Sequence, residues 1–315
     1  MIKYRNILVV IDPLHDEQAA LSRALYLAKR EDEAKITALL SIYDFSYEMT
    51  SMLSVDEREA MRAGVIEERK QWLDEVLKEY RSQGIPIDAK VVWHNRLFEC
   101  VIQEVLDQGH DLVVKSTHPH PTLQSIIFTP NDWHILRKCP TPVLMVKEHD
   151  WPENGNILAA IHASSDDPSH TTMNQNIATE AKDLCKLLGA NLHVVNAYPS
   201  APVNIAIELP DFDPQRYNEN VHDFHEKELG EFVEQHFSCP LTSHLREGLA
   251  DDVIPDVAAE IDAEIVILGT SGRSGFSAAL IGNTAEHVID QLNCDLLALK
   301  PDNFVCPLAD TGNTN

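Results

Sequence analysis

The chain repeats itself over a distance of about half its length. Residues 6–12, NILVVID, match residues 156–162, NILAAIH. Residues 111–114, DLVV, lie 153 positions before residues 264–267, EIVI. A repeat of this length contains its own strands and helices, so it predicts two similar domains rather than the short units of a solenoid.

Each half alternates apolar strands with amphipathic helices. Residues 6–11 and 36–43 are apolar runs of strand length, and residues 16–30 between them carry an apolar stripe at helical spacing. A long helix is predicted over residues 54–82, with Met61 on its apolar face. This alternation predicts an α/β fold in which parallel strands are joined by right-handed crossovers and helices cover both faces.

A short polar segment separates the two copies. Residues 149–155, HDWPENG, contain Pro and Gly and are predicted to link the domains. The N-terminal domain is then 1–148 and the C-terminal domain 156–300. Residues 301–315 form a tail of low apolar content, which we expect to be flexible at its end.

Charge and hydropathy argue against two classes of partner. The chain has 25 basic and 50 acidic residues, a formal net charge of −25. A field of this sign repels nucleic acid and anionic membrane surfaces, so we expect direct binding to neither. No apolar run approaches the roughly 20 residues that span a bilayer, and we expect no signal peptide. The scattered cysteines, without a Cys-x-x-Cys pair, predict reduced thiols and a cytoplasmic location.

A glycine-containing stretch follows the fourth strand of the second half. After the apolar run 265–268 come Gly269, Gly272 and Gly282, and a helix is predicted to begin near Thr284. Glycine permits close approach of a ligand to the backbone, and the N–H groups at a helix start carry roughly half a positive charge. Ligands of parallel sheets bind beyond the carboxyl ends of the strands. The stretch is therefore typical of a phosphate-binding loop, although glycines so spaced also occur as plain turns.

Two copies of this pattern, with G-x2-G-x9-G-N-T in the second, resemble a tandem protein of the universal stress protein family. The segments IYDFSYEMTSML, VVWHNR, FTPNDWHILRKCP and NIAIELPDFDP make the chain similar to its E-type members. The resemblance covers essentially the whole chain. It implies two tandem Rossmann-like domains of the adenine nucleotide alpha hydrolase-like type. Each would be an open five-stranded parallel sheet of order 3-2-1-4-5 with helices on both faces.

The resemblance also implies a role and a mode of assembly. Members of the family act in survival under starvation, oxidative or DNA-damaging stress, and they are cytoplasmic. They form homodimers, or an intramolecular pseudo-dimer where two domains are in tandem. Some bind ATP through an aspartate after the first strand and the glycine loop, whereas others bind none.

The resemblance places a candidate nucleotide site in the C-terminal domain. His162 stands where the family has the aspartate, and Asn283 stands where it has Ser or Thr. ATP or another adenine nucleotide is thus one alternative for this domain, and a vestigial site is the other. The candidate residues are His162, Gly269, Ser271, Gly272, Arg273, Gly282, Asn283 and Thr284.

In the N-terminal domain the pattern is reversed. Asp12 is present, but Ser116, Pro119 and Thr129 occupy the places of the three glycines. Each substitution adds a side chain where a phosphate needs bare backbone, and Pro119 also removes an N–H donor. Conventional ATP binding in this domain is not expected.

The loops after the second strand of each half are rich in apolar residues. Such loops line a pocket for an amphipathic small molecule, or they cover an interface or act as a lid. We favour the interface or lid. The residues singled out, together with Asp12, are Tyr43, Phe45, Tyr47, Met49, Ile205, Ile207 and Leu209.

Neither a nucleophile–base pair nor a metal-ligand set emerges from the sequence. One alternative for His94, His118, His120 and His134 is a metal site with Asp12 near the strand ends, and the other, which we favour, is a structural or solvent-facing role. His118-Pro119-His120 lacks the spacing that puts two imidazoles on one helix face, so no ligand set is named. The glycine loop carries neither a nucleophile elbow nor the Lys-Ser/Thr pair of a Walker-type nucleotidase. We therefore predict no catalytic residues and a ligand-responsive binding module. The alternatives are a non-nucleotide interaction protein whose apolar loops bind a partner, and a slow nucleotide hydrolase.

Overall fold

Each half of the repeat forms its own parallel sheet. The computed structural model describes residues 4–47, 53–117, 128–165, 167–199, 213–270 and 282–309. The N-terminal domain extends to Glu148 and takes in the segment that begins at Phe304, whereas the C-terminal domain spans His149–Asn303.

The N-terminal sheet consists of the apolar runs of the first half. Its neighbouring strands are parallel, in the order β3-β2-β1-β4-β5, so the strand order reverses between β1 and β4. The strands are β1 (Asn6–Val10), β2 (Lys35–Ile42), β3 (Ile87–Trp93), β4 (Leu112–Ser116) and β5 (Val143–Val146). The helices are α1 (Ala19–Ala28), α2 (Val55–Arg81), α3 (Leu97–Gln108) and α4 (Pro130–Lys138).

The C-terminal sheet has the same arrangement. Its neighbouring strands are parallel, in the order β8-β7-β6-β9-β10, and the order reverses between β6 and β9. The strands are β6 (Asn156–Ile161), β7 (Asn191–Tyr198), β8 (Thr242–Glu247), β9 (Ala263–Gly269) and β10 (Asp295–Leu299). The helices are α5 (Pro168–Leu188), α6 (Pro214–His236), α7 (Ala250–Glu260) and α8 (Asn283–Gln291). The predicted α/β fold is confirmed.

The central strands are apolar along their whole length because helices cover both faces of a parallel sheet. Ile7, Leu8 and Val9 in β1 are fully buried, and Val266 and Ile267 in β9 are equally buried. The core of each domain therefore lies on both sides of its first and fourth strands, and it holds the carboxyl ends of those strands in place.

The helix α2 begins and ends within one residue of its predicted bounds, 54–82. Ser54 caps its first turn and Glu57 completes a capping box. Leu73 and Leu77 are buried, but Met61, predicted on the same apolar face, is 40% exposed. The helix thus packs through its C-terminal half.

Segments outside the two repeats also pack on a domain. Within the predicted linker, His149 places Nδ1 3.1 Å from the Glu264 carboxylate and Nε2 2.9 Å from that of Asp295. In the tail, Cys306 is buried, and Leu308 lines a cavity of about 320 Å³ beside β3 and α3 of the N-terminal domain. The end of the tail, residues 310–315, lies outside the described residues. No helix among the described residues combines the length and apolar composition needed to cross a membrane.

Candidate functional site

The first glycine of the loop, Gly269, ends β9 and packs against a helix. A Cβ atom at this position would lie 2.4 Å from Cγ and 2.6 Å from Sδ of Met173 on α5. Contacts this short would force the Met173 side chain to shift, so the glycine leaves room for Met173 to pack against β9. Its presence is thus explained by packing, whether or not a ligand approaches it.

The last glycine of the loop, Gly282, lies at the start of α8. Its φ of −63° and ψ of 145° suit any residue, so the backbone does not require glycine here. Glycine has no side chain that could cap the helix, and none of the described residues supplies a side-chain cap in its place. Asn283 and Thr284 are exposed. The helix α8 therefore begins, at the carboxyl edge of the sheet, without a side-chain hydrogen bond from its N-cap residue.

The corresponding helix of the N-terminal domain, α4, is closed by its own side chains. Oγ1 of Thr129 accepts a hydrogen bond from the Asp132 N–H at 3.3 Å, and Oδ2 of Asp132 accepts from the Thr129 N–H at 2.7 Å. Nζ of Lys115 lies 2.7 Å from the other carboxylate oxygen, Oδ1. Asp132 is 1% exposed. A buried carboxylate thus occupies the position where an anion is stabilised by a helix N-terminus.

The C-terminal domain lacks every member of this arrangement. Moving 153 positions along the chain, Thr129 corresponds to Gly282 and Asp132 to Ala285. Lys115 corresponds in the same way to Leu268. The hydroxyl, the carboxylate and the ammonium group are all replaced by apolar or absent side chains, and the acidic residue in the first turn of α8 is Glu286, one position beyond the equivalent of Asp132.

The end of the first strand is held in the same way in both domains. In the C-terminal domain, the His162 N–H donates to Oδ1 of Asn174 at 3.1 Å, and Nδ2 of Asn174 donates to the His162 carbonyl at 2.9 Å. In the N-terminal domain, Gln18 makes the same pair of bonds to Asp12, at 3.0 Å and 2.9 Å. These bonds fix the backbone and leave the side chains of His162 and Asp12 to differ.

His162 and the glycine loop lie beside one another. Met173, which contacts Gly269, and Asn174, which binds His162, are consecutive residues of α5, and β6 pairs directly with β9. Partial burial lowers the pKa of His162, and the nearby His170 and His225 lower it further. The structure therefore places Gly269 near His162, whereas Gly282, Asn283 and Thr284 lie at the start of α8.

Other predicted residues stand as follows. Tyr43 and Phe45 after β2 are 40% and 62% exposed, and the Tyr43 ring lies 5.9 Å from that of Trp93. Tyr47 ends a short 3₁₀ turn. The predicted residues that lie outside the described part of the chain are Met49, Ile205, Ile207, Leu209, Ser271, Gly272 and Arg273.

The histidines of the N-terminal domain have ordinary structural contacts. Nδ1 of His94 accepts from the Arg96 N–H at 3.1 Å, and the His134 ring packs 4.3 Å from that of Phe98. Among the described residues, the group with metal-ligand geometry is instead in the C-terminal domain, on α6: His222, Asp223 and Glu226. His118 and His120 are outside the described residues.

Two features near the strand ends were not predicted from the sequence, the capping box of α4 and the approach of His170 and His225 to His162. The pattern Thr129-x-x-Asp132 is a capping-box signal and was available in the sequence. His170 and His225 gave no such signal, because they approach His162 only through the packing of α5 and α6.

Comparison with known proteins identifies the family. The model of the universal stress protein family matches residues 3–147 and again residues 156–300. The chain belongs to the universal stress protein family. It is 51% identical to universal stress protein E of Escherichia coli K12 over 309 residues, which cover 98% of each chain. Membership of this family supports a role in the stress response.

Solved structures show the same tandem fold. A functionally unknown protein of Pseudomonas aeruginosa PAO1 is 30% identical, with a TM-score of 0.73 over 96% of this chain and 94% of that one. A universal stress protein of Archaeoglobus fulgidus has a TM-score of 0.60 at 17% identity, covering 95% of this chain and 97% of that one. At that identity the second comparison concerns the fold alone.

Proposed function

We propose that this universal stress protein is a cytoplasmic binding module whose C-terminal domain binds ATP or another adenine nucleotide. The N-terminal domain, in this proposal, binds none. The observation that carries the proposal is the difference between two equivalent helix N-termini. The helix α4 is closed by Thr129 and Asp132, whereas α8 begins at Gly282 without a side-chain cap.

The physical basis is electrostatic. A helix N-terminus carries roughly half a positive charge and favours an anion close to it. In the N-terminal domain Asp132 is that anion, and a phosphate would have to displace a buried carboxylate that Lys115 neutralises. In the C-terminal domain Ala285 and Leu268 supply no charge, and the first-turn carboxylate of α8, Glu286, stands one position beyond the equivalent of Asp132. A ligand phosphate can therefore take the place that the Asp132 carboxylate has in the first copy.

The net charge of −25 does not oppose this. Long-range repulsion weakens association with extended polyanions, whereas a small phosphate is held by hydrogen bonds over about 3 Å. The signal passed on would be occupancy of the site rather than turnover. We further propose that the protein acts as a homodimer or as an intramolecular pseudo-dimer, in keeping with its family.

The test introduces the capping residues of α4, Thr129 and Asp132, at the equivalent positions of α8. ATP binding is measured by isothermal titration calorimetry for the native chain and for the double variant Gly282→Thr/Ala285→Asp. We expect the affinity to fall at least about tenfold, because the new hydroxyl and carboxylate would occupy the N–H groups that bind phosphate. The matched control is Asn293→Asp, which adds the same charge beyond the other end of α8.

The outcomes separate the alternatives. Loss of binding in the double variant with retention in Asn293→Asp supports a site at the N-terminus of α8. Equal ATP affinity in all three proteins would contradict it, as would the absence of binding to the native chain. Phosphate release above the blank that is lost in the double variant would instead favour the slow hydrolase.

A second candidate function concerns the N-terminal domain. Among its described residues, the large apolar side chains that are substantially exposed include Leu14 at 85%, Phe45 at 62%, Val55 at 59% and Tyr43 at 40%. Exposed apolar residues of this kind favour a partner protein or an amphipathic small molecule. Native mass spectrometry of freshly purified protein tests this, because a retained ligand adds its mass to the intact chain.

A further inference from the structure

Three histidines lie together at the carboxyl edge of the C-terminal sheet. His162 follows β6, His170 lies in the first turn of α5, and His225 lies on α6. The rings of His162 and His170 are 5.6 Å apart, and both His170 and His225 are close enough to act electrostatically on His162. We call these three residues the histidine cluster.

Two of the rings are oriented by serine hydroxyls. Oγ of Ser165 lies 2.9 Å from Nδ1 of His170, and Oγ of Ser164 lies 2.9 Å from Nδ1 of His225. The Tyr198 ring stacks on His225 with its centroid 5.1 Å away. Because these contacts engage Nδ1, Nε2 is the ring nitrogen left for a ligand, and His225 itself is 9% exposed.

The equivalent edge of the N-terminal domain carries a carboxylate instead. Asp12 accepts hydrogen bonds from the Leu14 N–H and from Nδ1 of His15, both at 2.8 Å. In dinucleotide-binding sheets a carboxylate near a strand end accepts a ribose hydroxyl, whereas a cationic side chain there accommodates a ribose phosphate. The replacement of Asp12 by His162 in the second copy therefore changes which sugar the edge can accept.

We infer that the histidine cluster makes the nucleotide site of the C-terminal domain selective for adenine nucleotides that carry a phosphate on the ribose. The inference rests on the proposed function. With the 5′-phosphate at the N-terminus of α8, the nucleoside extends along the edge from β9 towards β6, its direct neighbour. His162 at the end of β6 then meets the sugar.

The charge of the cluster depends on pH. Desolvation lowers the pKa of His162, and His170 and His225 lower it further. Desolvation also lowers the pKa of His225, against the opposing effect of Glu228. A ribose phosphate between the imidazoles would offset their repulsion, so its binding takes up protons and strengthens as the pH falls. Further titratable groups on the elements around the cluster include Asp167, Tyr198, His222, Asp223, Glu226, Lys227 and Glu247.

The experiment compares ligands that have two phosphates in different places. Calorimetry at about pH 6 and about pH 8 gives the affinities of ADP, adenosine 2′,5′-bisphosphate and adenosine 3′,5′-bisphosphate. We expect at least one bisphosphate to bind about tenfold more tightly than ADP at the lower pH, with a smaller ratio at the higher pH. ADP places both phosphates at the 5′ end and thus reports the helix terminus alone.

Two variants and a control assign the effect to the cluster. His162→Asp should reduce the ratio of bisphosphate affinity to ADP affinity to about one, because a carboxylate repels a ribose phosphate. The bonds to Asn174 use only backbone atoms of residue 162, so the strand end keeps its structure in the variant. His225→Asn should weaken the preference and its pH dependence. His236→Asn, at the far end of α6, should leave both unchanged.

The outcomes distinguish failure of the inference from failure of the proposed function. Equal affinities of ADP and both bisphosphates at the lower pH would overturn the inference and leave the proposed function standing. An unchanged preference in both His162→Asp and His225→Asn would also overturn it. If none of the three nucleotides binds, the proposed function fails, and the inference fails with it.

Discussion

The buried carboxyl group of Glu180 should make the stability of the C-terminal domain fall as the pH rises. Glu180 lies on α5 and is 4% exposed, and among the described residues its Oε1 has no hydrogen-bond partner. Burial raises its pKa to about 8, and Asp183 adds to the effect. In the first copy of the repeat the corresponding position is Ala24, which is fully buried.

The sign and size follow from proton linkage. An unfolded glutamate releases its proton near pH 4.5, whereas the folded protein keeps it until about pH 8. Between these values the folded state binds more protons, so the free energy of unfolding falls as the pH rises and levels off above the folded pKa. Since each pKa unit corresponds to about 1.4 kcal/mol, the loss amounts to as much as roughly 5 kcal/mol.

Glu180→Gln should remove this dependence, because the amide cannot ionise. Urea denaturation from about pH 5 to about pH 9 gives the free energy of unfolding, and hydrogen exchange of peptides from β6 and β9 assigns it to the C-terminal domain. We expect the variant to gain several kcal/mol relative to the native chain at about pH 8.5 and little at about pH 5.

The control is Glu234→Gln, an exposed glutamate on α6 of the same domain. It should follow the native chain at every pH. If Glu180→Gln also keeps the native pH profile, the carboxyl group is ionised in the folded protein and the reasoning is refuted.

Two further predictions concern packing at the site. Asp132→Asn should lower the stability of the N-terminal domain by about 3 kcal/mol, measured by denaturant unfolding, because its partly buried lysine partner loses a carboxylate. Asp132→Glu should also be less stable than the native protein, because the longer side chain does not reproduce the bonds to Thr129 and Lys115. Full native stability of Asp132→Asn would contradict the prediction. Gly269→Ala should cost about 1–3 kcal/mol, since its Cβ would meet Met173. Met173→Ala should cancel most of that cost in a double-mutant cycle, and additive effects would argue against direct contact.

The fold was accessible from the sequence because periodicity and duplication act locally. Buried strands read as unbroken apolar runs, and a helix on a sheet repeats its apolar side chains every three or four residues. This is why α2 was placed to within one residue. The second copy repeats the same order of strands and helices, which supports the elements predicted for the first copy.

The site was less accessible because its chemistry depends on contacts between distant residues. Gly269 reads as a ligand-binding glycine in the sequence, yet Met173, almost a hundred positions earlier, explains it by packing. His225 meets Ser164 across 61 positions, a distance at which no local pattern operates. Only the cap formed by Thr129 and Asp132 carried a signal that reading the sequence could have used.

The tail of the chain has a consequence for biosynthesis. Cys306 and Leu308 belong to the N-terminal domain, although they are translated after the whole C-terminal domain. Domains usually fold in order as they leave the ribosome. Here the surface of the first domain beside β3 and α3 stays uncovered until the second domain and the tail have been synthesised. A nascent chain halted after Lys300 would therefore expose that surface to chaperones while its C-terminal sheet is already complete.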